Sequence, residues 1–508
     1  MILLALGCAP RTPCTPAQDA PYSDGIPYLG IHGDPGNSDV IECSTATSFE
    51  PAWMALEGLG TTQPNTFSPD GTVVYATTSN PVAEGCRLHA LDAVSGEVLW
   101  CRTEAPTVVN SAVEVDAEGR LYFTADGSLT SLSPDGETLW TFDFPDEEGA
   151  PWGLHFTPDG HVATVTSGGV VHLVDRHSGE GLASLSIPET WGYVPPASLV
   201  LDVDLSSLIP AEVLGDIEAV WGPTESSTAQ EGFSTFMGAG AFCDNTLGID
   251  GDGRLYVIGG GPDEEHGALV QVLVEGMPDA PTLRPGWSTV TNGGSATTPS
   301  IRGHRLVIGD GTTSKTLLDS EGVESHIKVV DIAACDANED LDADPGSCAV
   351  VYQDRMQRQP MPGAPAIDDE GIVYFYEMGL DFDAEPEDRD VVALGPEGIV
   401  WEVALDEDLD WTSVITVTDE HLIGTASRIE PSGESLFAVN FPAHTEDFLL
   451  ILDRSDGSLV WSHPVPDDSA ATVTVGPDGA LYVGVLGLIS ILSVDDRPEL
   501  GLMRFDPR

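Results

Sequence analysis

One unit recurs along the chain and restricts its fold more than any other feature. Residues 112–142 read AVEV, DAEG, RLYFTA, DG, SLTSLS, PDG, ETLWTF. Short runs rich in β-branched and aromatic residues alternate there with Asp-Gly or Glu-Gly turns. This predicts a four-stranded antiparallel meander. Related units cover 66–100, 154–187, 246–290, 297–353, 363–404, 413–465 and 471–494, which makes eight. The last unit lacks a fourth, Trp-bearing strand, and its apolar stretch YVGVLGLISILSV reads as two buried strands. A strand-like piece around Trp53 (PAWMALEGL) precedes the first unit. A ring closes if that N-terminal strand completes the last blade, and closure removes exposed sheet edges. The expected fold is all-β: a closed eight-bladed β-propeller of four-stranded antiparallel blades over 49–508. A non-repeat insertion at 188–245 separates the third and fourth blades.

The junction of third and fourth strands carries the most specific signature. HALDAVSGEVLW ends at Trp100, SLSPDGETLW at Trp140, ALGPEGIVW at Trp401 and LLILDRSDGSLVW at Trp461. Asp and Gly supply the turn, and Trp is a large apolar cap that can stack between neighbouring blades. Trp53 joins this inter-blade set through the closing strand. In this pattern the chain resembles the quinoprotein-like, PQQ-repeat eight-bladed propellers. They include PQQ-dependent alcohol dehydrogenases and a non-enzymatic lipoprotein of the outer-membrane barrel-assembly machine. The resemblance covers residues 50–508 and implies the fold more strongly than the activity.

The N-terminal MILLALGC resembles the end of a bacterial lipoprotein signal, which implies a lipidated Cys8. Residues 1–8 are then a signal remnant. The Pro-, Asp-, Ser- and Gly-rich residues 9–48 read as a flexible tether. Eight cysteines are present and none is spaced CxxC, so zinc and thioredoxin-type readings fail. Cys86 and Cys101 flank a hairpin and are expected to pair. Cys335 and Cys348 would staple an acidic loop. Both pairings point to an oxidising, exported location, the bacterial outer membrane or cell surface, with the periplasm as the alternative. One of Cys14, Cys43 and Cys243 is then left over or pairs between chains.

The charge excludes further classes. Against 83 Asp plus Glu stand 19 Lys plus Arg, a formal net charge of −64. A nucleic-acid binder working through phosphate neutralisation is excluded, as is docking on an anionic membrane through basic patches; any membrane contact is through the lipid anchor only. Acids fall in turns of nearly every unit, which favours a general acidic coat suited to a saline or calcium-rich exterior.

Two loops are denser. Asp336, Asn338, Asp340, Asp342 and Asp344 alternate in CDANEDLDADPGSC, and Asp381, Asp383, Glu385 and Glu387 lie in a second loop. Closely spaced oxygens of this kind can wrap a hard cation, so calcium is the candidate ligand of each. The dehydrogenase relatives show adjacent cysteines over their cofactor, and no Cys-Cys pair exists here. Few cations also make PQQ, a tricarboxylate, an unattractive ligand, and no catalytic or cofactor-binding residue is assigned. The expected function is an exported, lipid-anchored propeller that binds an envelope or secreted protein as an assembly scaffold. The alternatives are a PQQ-dependent dehydrogenase with a site in the central channel, or a carbohydrate-binding, adhesive propeller.

Overall fold

In a computed structural model, the described residues are 21–61, 63–79, 85–102, 111–125, 127–195, 241–243, 245–291, 295, 297–310, 325–337, 350–355, 364–377, 390–405, 409–436, 439–469, 471–486 and 499–508. They form eight antiparallel sheets, seven of them meanders consecutive in sequence; two of the sheets carry a fifth short strand. Blade 2 shows the plan. Glu114–Val115, Leu121–Ala125, Ser128–Leu132 and Thr138–Asp143 pair in order, as the Asp-Gly and Glu-Gly turns require.

The ring is closed. Phe49–Ala55 pairs antiparallel with Gly501–Pro507 and becomes the fourth strand of blade 8, whose first two strands are Thr474–Val475 and Leu481–Val485. The third strand of that blade is therefore Gly501–Pro507 and not the sequence ending at Val494, which lies largely outside the described residues. Side chains from both faces of the blades fill the spaces between them, giving seven buried apolar clusters that each draw on adjacent sheets.

Each junction between blades is built from the turn chemistry. Asp92, Asp175 and Asp453 cap the third-to-fourth turns of blades 1, 3 and 7 by accepting the Ser95, Ser178 and Ser455 N–H groups, each at 2.8 Å. These bonds hold the Asp92 carboxyl below its ordinary value. Gly96, Gly179 and Gly457 complete those turns at φ of 72°, 74° and 73°. The Trp of the preceding blade lies flat on the glycine. A Cβ on Gly96, Gly179 or Gly457 would stand 2.7, 2.6 or 2.8 Å from Trp53, Trp140 or Trp401, respectively. Trp100 covers Gly136 in the same way. The indole N–H groups of Trp100, Trp140 and Trp401 donate to Pro134, Arg176 and Arg454 carbonyls. Trp461 packs beside Phe49 of the closing strand, with ring centroids 5.9 Å apart.

Three arginines bind across or beside these junctions. Arg176 of blade 3 pairs with the buried Asp116 of blade 2 at 2.9 Å. Arg454 of blade 7 binds Asp368 and the Tyr374 hydroxyl of blade 6. Arg504 pairs with Asp478 at 2.7 Å and lies over the Tyr482 ring.

Candidate functional site

The first strand of each blade is its innermost, and neighbouring first strands stand side by side around the axis. Thr66 donates to the Val113 carbonyl and Thr416 to the Val473 carbonyl, each at 2.6 Å, linking one inner strand to the next. An inner strand pairs on one side only, so its inward N–H groups need other partners.

Residues 21–48 provide them. The expected tether over 9–48 is corrected from residue 21 onward: most of 21–48 is buried and the segment fills the channel. Ile249, Ile301, Ile367 and Val417 occupy one equivalent position in blades 4, 5, 6 and 7. Their N–H groups donate in turn to the carbonyls of Pro35, Gly36, Ser38 and Asp39, at 2.7, 2.6, 3.1 and 2.8 Å. In blade 3 the equivalent Phe156 N–H donates to the Tyr22 hydroxyl at 3.1 Å. Five blades thus meet one short stretch of chain. Asn37 and Asp39 adopt φ of 56° and 51°, which turns successive carbonyls toward different blades. Asn and Asp are among the few side-chain-bearing residues that enter this region readily. Apolar anchors complete the fit, with Tyr22, Ile26 and Leu29 in one cluster and Tyr28, Ile41 and Ala46 in another. A cavity of about 10 Å³ remains beside Tyr28, Leu29, Thr66, Phe67 and Val115, room for about one water.

Two buried acid–imidazole pairs lie in this hub. His155 Nδ1 meets Glu114 Oε1 at 2.6 Å, and Nε2 meets Asn37 Oδ1 at 2.7 Å. Asn37 donates its amide group to the Leu247 and Pro299 carbonyls at 2.9 and 3.2 Å, so its oxygen is the atom facing His155. Tyr22 donates to Glu114 Oε2 at 2.9 Å. The second pair is His32 with Asp39 at 2.9 Å, joined by Tyr28 at 3.1 Å and by Thr298 at 3.2 Å. Burial pushes the carboxyls of Glu114 and Asp39 up, against the opposing pull of His155 and His32. At the rim, Arg302 joins Asp34 and Glu42 of the segment to Asp369 of blade 6.

Glu114 and His155 were not singled out for this role from the sequence. Thr66, Gly248, Ser300, Ala366, Thr416 and Thr474 hold the same place in other blades. An unusual carboxylate and imidazole in neighbouring repeats were the available signal. Trp287 was missed as well. It donates to Asp336 of blade 5 at 2.9 Å, where other blades place Trp over a turn.

Cys86 and Cys101 form a disulfide with Cα atoms 5.6 Å apart; the register partner of Cys101 is His89, so the bond crosses diagonally. Cys43 and Cys335 each take part in a separate disulfide. Cys243 is a buried thiol whose sulfur lies 3.1 Å from the Asn245 carbonyl. Cys8, Cys14 and Cys348 lie outside the described residues.

Of the first acidic loop, Asp336 is described. Its Oδ1 accepts Trp287 and Gln271, and its Oδ2 pairs with Arg254 at 3.3 Å, so its carboxylate is engaged by protein donors. Asn338, Asp340, Asp342 and Asp344 lie outside the described residues, as do Asp381, Asp383, Glu385 and Glu387. Among the described residues no group of three or more His, Cys, Asp or Glu is placed to hold a metal ion, and no helix is long and apolar enough to cross a membrane. Both ends of the 188–245 insertion pack on blades 3 and 4, through the helix Ile187–Trp191 and through Phe242; residues 196–240 are outside the described set.

Comparison with known proteins agrees with this geometry. Residues 45–193 match the family model described as outer membrane protein assembly factor BamB. No curated protein sequence matches the chain. The quinohemoprotein alcohol dehydrogenase of Comamonas testosteroni superposes with a TM-score of 0.54 at 11% identity, covering 94% of this chain and 80% of that one. The quinohemoprotein alcohol dehydrogenase ADHIIG of Pseudomonas putida HK5 superposes at 0.51 and 12% identity, covering 95% and 80%. BamB from Moraxella catarrhalis gives 0.45 at 12% identity, covering 92% and 96%. In fold the chain is an eight-bladed propeller like that of these dehydrogenases, and residues 45–193 are similar to the BamB family model.

Proposed function

We propose that this protein is a protein-binding scaffold of a bacterial cell envelope, exported and held by lipid at Cys8. One observation carries the choice of scaffold over enzyme. The channel, where a quinone enzyme of this fold would need its site, is filled by residues 21–48, whose carbonyls are bonded to four inner strands. The groups facing inward there are two acid–imidazole pairs and tyrosines that bond one another. They offer no cluster of cations for a tricarboxylate. The match of residues 45–193 to the BamB model supports an envelope partner. Protein contacts would then use the outer faces of the ring and the 188–245 insertion.

Two measurements test the reading. Mixing the protein with PQQ and calcium should give neither quinone spectra nor dye-linked alcohol oxidation; appearance of both overturns it in favour of the dehydrogenase. Affinity capture from envelope extract should return one stoichiometric partner, and an empty capture at several salt levels removes the support for a scaffold.

A further inference from the structure

The Glu114–His155 pair can be counted proton by proton. Asn37 offers only its oxygen to His155, because its amide group is spent on the Leu247 and Pro299 carbonyls. Nε2 of His155 must therefore carry a hydrogen. The Tyr22 hydroxyl accepts the Phe156 N–H, so its own hydrogen goes to Glu114 Oε2. One proton is left to sit between Nδ1 and Oε1 across 2.6 Å. Whichever atom holds it, the pair is neutral overall. Neither residue is more than 1% exposed.

We propose that this shared proton locks residues 21–48 into the channel and that its loss at alkaline pH loosens the segment. Without it, a carboxylate faces an imidazole lone pair at close range and a net negative charge is left in a buried site. The surroundings do not compensate. The charged and titratable groups facing the hub are Tyr22, Tyr28, His32, Asp34 and Asp39 of the segment, with Tyr376 from blade 6. The nearby cation Arg302 is already bound to Asp34, Glu42 and Asp369. The linkage has the same sign. Burial raises the Glu114 carboxyl, so the folded hub favours the protonated form, and its contribution is retained in acid and lost as pH rises. Loosening strips the inward N–H groups of Ile249, Ile301, Ile367 and Val417 of their acceptors at once. Such a row of open strand N–H groups is what an extended polypeptide pairs with.

The test is amide hydrogen exchange on the full chain between about pH 6 and pH 9.5, corrected for intrinsic rates, with the Ala90 and Leu132 amides of blades 1 and 2, in a cluster that holds no residue of the segment, as internal reference. Protection at Ile249, Ile301, Ile367 and Val417 should fall by about tenfold per pH unit above the pair's midpoint, while the reference stays level. Glu114→Gln keeps a hydrogen-bonding shape with no proton to lose, so its profile should be flat. Equal behaviour of hub and reference amides in the wild type overturns the proposal, as does a Glu114→Gln profile that still falls. Should that variant not fold, the His155 ring titration followed by carbon NMR in the wild type decides the matter. A midpoint more than about one pH unit from that of the exchange profile sinks the proposal, and coincidence supports it.

Discussion

The two faces of the ring are made on different principles. Strands alternate in direction, so first-to-second and third-to-fourth turns share one face, while second-to-third and blade-to-blade connections share the other. On the first face every first-to-second turn is short, from Gly303–His304 in blade 5 to Ser68–Thr72 in blade 1. Blade 5's third-to-fourth connection, 332–349, is the exception among the turns there. On the second face the connections differ widely in length, from 167–169 in blade 3 to 311–325 in blade 5, 377–390 in blade 6 and 192–247 between blades 3 and 4. The first face is also where residues 21–48 enter and leave the channel: the Ala117 N–H donates to Pro21 and the Asp419 N–H to Cys43, both from first-to-second turns. The difference teaches that this chain fixes one face by turn geometry and a plug, and leaves the other free to vary in length.

Substitution on the plugged side should have the largest effect. Asn37→Ala leaves His155 Nε2 and the Leu247 and Pro299 carbonyls unpaired inside the hub. A loss of about 3–5 kcal/mol in chemical denaturation is expected for several buried groups left unsatisfied. A change below about 0.5 kcal/mol, the range of an ordinary surface substitution, would erase the distinction between the faces.

The second effect belongs to the variable side. His89 sits near that end of blade 1, and burial lowers its pKa from 6.5 to about 4, opposed by its bond to the Cys86 carbonyl. A depressed histidine stabilises the fold above its unfolded value, and that contribution drains away as pH falls from about 6.5 to 4. The wild type should therefore lose up to about 3 kcal/mol more than His89→Gln over this range, read by denaturation at several pH values. Parallel curves for the two proteins would show that His89 is not the sensor.

The smallest effect separates backbone strain from packing. Gly179 and Gly127 both have positive φ, 74° and 76°, on opposite faces. A Cβ on Gly179 would stand 2.6 Å from Trp140, whereas one on Gly127 meets nothing within 4 Å. Gly127→Ala should lower stability by about 1 kcal/mol from conformation alone, and Gly179→Ala by about 2–3 kcal/mol. Equal losses would mean that the Trp contact carries no weight.

Much of this was legible in the sequence. The Asp-Gly turns and β-branched runs located the blades, and the missing fourth strand of the last unit pointed to Phe49–Ala55. The plug was not legible, because Pro, Gly, Asp and Asn in GDPGNSD serve a mobile linker and a buried, tightly turned segment equally well. What separates the two is a set of partners up to several hundred residues away, such as Ile301 and Val417. The aromatic and aliphatic residues Tyr22, Ile26, Tyr28, Leu29 and Ile41 were the readable counter-signal, since a solvated tether gains nothing from them. Trp287 escaped because PGWSTV lacks the turn-to-Trp spacing of its counterparts.

The closing strand sets a timetable for biogenesis. Glu50 is bound to Arg508, 458 positions away, and the strand around it pairs with Gly501–Pro507. Ribosomes deliver residues 49–55 well before their partner, so an emerging chain holds an unpaired, Trp-bearing strand while every blade between the two is made. Long-range pairing of this kind is slow and exposes the intermediate to aggregation. Keeping the chain extended until residue 507 has appeared would let both strands meet in one event, and interruption short of that point would leave blade 8 and the hub unfinished together.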